Sequence, residues 1–134
     1  MFYISGFYKF KKVYGIKKIK KSLTDIFIKY NIRGTIIVSG EGINGTLSSN
    51  KKNLELVLKK IKKTFNFTNF DSQNLSKSKF QIFHRGKVKI KKEVVPMGIK
   101  IEKRNLKNHL NPVKWNKLIK NKNTLLLDAR KPFE

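Results

Sequence analysis

A chain of 134 residues has room for one compact domain and part of a second, since domains commonly run roughly 100 to 150 residues. Ten Phe, four Tyr and one Trp supply core bulk and exclude wholesale disorder, while the complete lack of Cys excludes disulfides and Cys-based metal sites within it. The formal charge of +24 admits a polyanionic partner, but no apolar run approaches the roughly 20 residues that cross a bilayer, and the start is charged too early for a signal peptide.

Ile4 to Val13 mixes aromatic and β-branched residues with Lys in partial alternation, which predicts a half-buried first strand. From Ile16 the apolar positions Ile16, Ile19, Leu23, Ile26, Phe27 and Tyr30 step by three and four, placing them on one face of a helix whose other face is Lys. Gly34 is expected to release the chain into Thr35-Ile36-Ile37-Val38, a buried β-branched strand. The three glycines of Gly40-Glu41-Gly42-Ile43-Asn44-Gly45 predict a tight turn, with Thr46-Leu47-Ser48 resuming as strand.

Asn50 or Asn53 can cap a second helix, with Leu54, Val57, Leu58, Ile61 and Phe65 as its apolar stripe. After a polar stretch, Thr68 to Lys79, Phe80, Ile82 and His84 alternate with Gln81, Phe83 and Arg85. Val88 and Ile90 then alternate with Lys87, Lys89 and Lys91, and this period of two predicts a long strand or hairpin. The order strand, helix, strand, strand, helix, strand predicts an α+β, ferredoxin-like domain with two helices on one face of an antiparallel sheet. Pro96, Gly98 and the polar run to Asn111 read as a connector. Pro112 can open a helix through Lys120, and Leu125-Leu126-Leu127 is expected to begin another buried strand.

Several residue groups are candidates for function. Glu41 and Asn44, in the glycine-rich segment, can contact a substrate or simply satisfy turn backbone groups. Gly40, Gly42 and Gly45 match a dinucleotide fingerprint by spacing, but the strand that follows them denies the helix such a loop must open into. Arg85, Lys87, Lys89 and Lys91 form a basic strip with Phe83 beside it, suited to RNA phosphates and an unpaired base, and equally suited to guarding an edge strand. Only Arg33, Arg85, Arg104 and Arg130 are arginines, so Lys would position RNA rather than read its sequence. The excess Lys, Asn, Ile and Phe share A/T-rich codons, so compositional bias competes with polyanion binding as the source of the charge. His84 and His109 lack partners at metal-ligand spacing; no metal and no bound cofactor is expected.

Four stretches together resemble the rhodanese-related tRNA uridine hydroxylase family. They are Phe7-Tyr8-Lys9-Phe10; Gly40 through Ser48; Lys87-Val88-Lys89 through Val95-Pro96-Met97-Gly98-Ile99; and His109-Leu110-Asn111-Pro112-Val113-Lys114-Trp115-Asn116. The Glu-Gly-Ile-Asn core is the most specific piece, and the likeness spans nearly the whole chain. The tail, Leu125 to Glu134, is similar to the first strand of a rhodanese domain, where Asp128 and Arg130 would shape the fold rather than perform chemistry.

The resemblance implies an acylphosphatase-like accessory domain over 1–95, a connector over 96–111 and an incomplete start of an α/β rhodanese-like domain over 112–134. It further implies oxygen-dependent 5-hydroxylation of the wobble uridine of tRNA anticodons, with tRNA as partner, molecular oxygen as co-substrate and a cytoplasmic setting. The family's catalytic cysteine would lie beyond residue 134, so a truncated, inactive form is expected. A non-catalytic RNA-binding module and a rhodanese-type sulfurtransferase fragment are the alternatives.

Overall fold

The computed structural model describes residues 1–94 and 110–127. The chain divides into two compact units, Met1–Met97 and Gly98–Glu134. In the first lie β1 (Phe2–Phe10), α1 (Ile16–Lys29), β2 (Arg33–Ser39), β3 (Gly42–Ser49), α2 (Lys51–Thr64), β4 (Ser72–Ser78) and β5 (Gly86–Ile90). They build a five-stranded sheet in the order β4-β1-β3-β2-β5. Every pairing is antiparallel except β2 with β5, which run parallel.

The ferredoxin-like α+β fold is therefore present, with two corrections. Its fourth strand is Ser72–Ser78, inside the polar stretch that carries no strand signal, because an edge strand exposed along most of its length needs no apolar alternation. The residues from Phe80 to Arg85 are irregular, and only Gly86–Ile90 of the expected long strand or hairpin is strand, added parallel to β2 and not antiparallel.

Pairing register fixes the two faces of the sheet. Ser5 and Phe7 of β1 lie opposite Leu47 and Gly45 of β3, and Ile36 and Val38 of β2 lie opposite Gly45 and Ile43. These side chains share one face with α1, which packs on β2 and β5, and α2, which packs on β1 and β3. Leu23 and Phe27 from α1 and Leu54, Val57, Leu58 and Ile61 from α2 close the core over Phe7, Ile36, Val38, Ile43 and Leu47. Each such side chain withdrawn from water contributes roughly 1.5 to 3 kcal/mol.

Both helices end by the same device. Asn31 and Asn66 adopt left-handed backbone at φ 48° and 51°. The next amides, Ile32 and Phe67, donate back to the Phe27 and Lys62 carbonyls at 2.9 and 3.0 Å, a Schellman closure followed each time by an apolar residue in the core. It is thus Asn31 that turns the chain out of α1. Gly34 sits inside β2 at φ 114°, where an added Cβ would stand 2.1 Å from the Thr46 carbonyl oxygen. At the start of α2 the Asn50 side chain accepts from the Asn53 amide at 2.9 Å and is the cap, while Asn53 lies inside the helix and its Nδ2 donates to the Tyr30 carbonyl.

The glycine-rich turn is shorter than its composition predicts. Only Gly40 and Glu41 form the β2–β3 turn, and Gly42, Ile43, Asn44 and Gly45 already belong to β3. Gly42 serves close approach: at φ 153° it leaves no room for a Cβ, which would lie 2.1 Å from the Lys9 carbonyl oxygen.

In the second unit, α3 (Pro112–Ile119) starts at Pro112 as expected, with the Asn111 side chain accepting from the Lys114 amide at 2.8 Å. Leu125-Leu126-Leu127 forms no strand and is exposed; no neighbouring strand among the described residues pairs with it. Asp128, Arg130, His109 and the Val95–Ile99 segment lie outside the described residues. No helix among the described residues is long and apolar enough to cross a membrane.

Candidate nucleic-acid interface

Because α1 and α2 both pack on one face, the opposite face of the sheet carries neither of them, and strand alternation decides what it presents. The register lines up a row Ser72, Tyr8, Asn44, Ile37 and Lys89 across all five strands. The next row is Asn74, Gly6, Thr46, Thr35 and Lys87. Beyond Tyr8 stands Phe10 on the same side, its ring edge-on to Tyr8 with centroids 5.7 Å apart. Phe83, from the irregular segment between β4 and β5, joins Thr35, Ile37, Asn44 and Thr46 around a shallow cavity of about 290 Å³.

The structure splits the expected basic strip. Lys87 and Lys89 stand side by side on the helix-free face, and the alternation extends to Lys91, whose amide donates to the Val38 carbonyl at 3.1 Å. Arg85 is not with them. It lines a separate cavity between α1 and β5 with Thr24, Ile28, Asn31 and His84.

The two residues of the expected substrate loop also separate. Glu41 Oε1 accepts the Val94 amide at 2.6 Å, so its carboxylate anchors the chain that follows β5. Asn44 lies on β3 and not in a turn; its side chain makes no hydrogen bond to another described residue and faces the cavity under Phe83. The sequence reading missed Tyr8 and Phe10 as members of this face. Their period-two spacing with Lys9 was the available signal, but which side the helices would cover was not.

Acidic groups are absent from the two rows. Among the described residues Asp25 and Glu55 sit on helices, and Asp71 accepts from Lys9 Nζ and from the Phe10 amide, each at 2.7 Å. No cluster of three or more His, Cys, Asp or Glu suited to a metal occurs among the described residues. Such a face can hold a polyanion through its lysines and offer flat rings and an amide to whatever is attached. Its two rows hold hydroxyls, amides, a ring and lysines, and no His, Asp or Glu.

Residues 2–94 match the family model described as UPF0176 acylphosphatase like domain. The chain belongs to this family. Over 135 aligned residues it is 59% identical to a Pelagibacter ubique protein named tRNA uridine(34) hydroxylase, covering 100% of this chain and 45% of that one. An Acinetobacter baumannii protein of the same name is 32% identical over 98% of this chain and 41% of its own length. The chain thus spans less than half the length of these curated relatives. Among solved structures, a bacterial light-regulated adenylyl cyclase superposes with a TM-score of 0.51 at 17% identity, over 67% of this chain and 28% of that one, a likeness of fold alone.

Proposed function

We propose that this chain is the tRNA-holding part of a tRNA uridine hydroxylase, in which 1–95 is the accessory domain, 96–111 a connector and 112–134 the opening of a rhodanese-like domain. The reaction is oxygen-dependent 5-hydroxylation of the wobble uridine, carried out in the cytoplasm where tRNA resides. The observation that carries this reading is the 59% identity, along the whole of this chain, to a protein named for that activity on uridine 34 of tRNA.

The accessory domain binds and the chemistry lies elsewhere: the chain has no cysteine to act as a thiolate. Lys87, Lys89 and Lys91 neutralise tRNA phosphates, and Arg85 contributes from the neighbouring edge. Asn44 faces the RNA from β3, while Glu41 at the neighbouring turn anchors the chain that follows β5. Asp128 and Arg130 order the rhodanese-like segment. The test is deletion of the gene in its own cells followed by mass spectrometry of tRNA nucleosides. Loss of 5-hydroxyuridine and its derivatives is the expected result, and an unchanged nucleoside profile would overturn the reading.

A further inference from the structure

We propose that the helix-free face is a stacking platform for an unpaired RNA nucleotide, with Tyr8, Phe10 and Phe83 holding the base, Asn44 meeting its edge, and Lys87 and Lys89 taking the flanking phosphates. The inference rests on the tRNA-holding reading and specifies how the RNA is held. Three observations carry it. The first is shape: Gly6, beside Tyr8 on the same strand and face, has no side chain, and a Cβ built there would meet only Thr46 Oγ1 at 3.7 Å. Small residues Thr35 and Thr46 continue this low shelf, while Phe83 rises beside it. An open recess lined by Phe83, with Tyr8 on the neighbouring strand opposite Asn44, accepts the face of a base that has left its stack, and a paired base inside a duplex cannot enter it.

The second is hydrogen bonding. Asn44 shares a row with Tyr8 and Ile37, and its amide is uncommitted among the described residues. Side by side, its carbonyl and NH₂ complement a base edge that presents one donor and one acceptor. The third is charge. Lys89 closes the Asn44 row and Lys87 the next, with no carboxylate in either row to compete for them. An apolar peptide or a second copy of this strongly basic chain would find no partner for those cations, whereas a nucleotide supplies both a ring for Tyr8 and an anion for the lysines.

The proposal is tested by fluorescence anisotropy of the whole 134-residue chain with three probes: a short labelled oligouridylate, an RNA duplex of similar length, and unmodified tRNA. Oligouridylate should bind in preference to the duplex. Tyr8→Leu, which keeps bulk on the strand, and Phe83→Leu, which lies outside any strand and spares the sheet, should each weaken oligouridylate binding roughly tenfold, while Tyr8→Phe retains it. Wild-type affinity in both Leu variants would overturn the platform; if Lys87→Gln with Lys89→Gln still weakened tRNA binding, the tRNA-holding reading would survive that failure. Loss of oligouridylate binding in the Leu variants, with no tRNA binding by the wild-type chain, would support the platform and count against the tRNA reading.

Discussion

At the scale of single residues, backbone geometry makes the sharpest demands. Gly34 and Gly42 occupy positive φ with a neighbouring carbonyl oxygen 2.1 Å from where a Cβ would stand, so Gly34→Ala must push β3 away from β2. We expect it to destabilise the domain by at least about 3 kcal/mol in urea denaturation. Asn31 and Asn66 are milder cases of left-handed backbone. Asn31→Ala should cost about 1 kcal/mol and Asn31→Gly almost nothing, the contrast that a left-handed cap requires. Ser48 is a different kind of residue: its hydroxyl is fully buried without a hydrogen-bond partner among the described residues. Removing such a group relieves a desolvation penalty, so Ser48→Ala should leave the melting temperature unchanged or raise it by an amount worth up to about 1 kcal/mol.

At the scale of elements, the helices were legible and the sheet edges were not. The stripes Ile16 to Tyr30 and Leu54 to Phe65 announce their own period, and the structure puts Leu23, Phe27, Leu54, Val57, Leu58 and Ile61 where that period places them. The cap of α2 was legible too, and Asn50→Ala, which strips the acceptor from the Asn53 amide, should cost about 1 kcal/mol in the same urea experiment. By contrast β4 reads as loop because its side chains are exposed and polar, and its strand character comes only from pairing with β1. For the same reason the aromatic side of β1 was invisible: alternation shows that Tyr8 and Phe10 share a face, but not that α1 and α2 cover the other one. Glu41 and Asn44 were singled out together from one glycine-rich string, and two-residue turn geometry assigns them different work. Composition alone cannot distinguish a six-residue loop from a tight turn followed by a glycine-bearing strand.

At the scale of the whole molecule, the chain carries a charge of +24, and in its first domain the lysines lie on both sides of the sheet. Lys17, Lys18, Lys51 and Lys52 crowd the first turns of α1 and α2, which hold no acidic residue to complement the helix dipole. Total charge therefore says little about where a partner sits, and the composition of each face says more: two rows with lysines, rings and an amide on one, lysines over a closed core on the other. Binding through phosphate contacts makes affinity fall steeply with salt, and removing two such contacts should lower the slope of log affinity against log salt by about 2. The most direct measurement is the 5-hydroxyuridine content of tRNA from cells whose own copy of the gene carries Lys87→Ala and Lys89→Ala, compared with wild type under the same conditions. A clear drop in modification, with the protein still present at its normal level, is the result this account predicts; wild-type modification by that variant would contradict it.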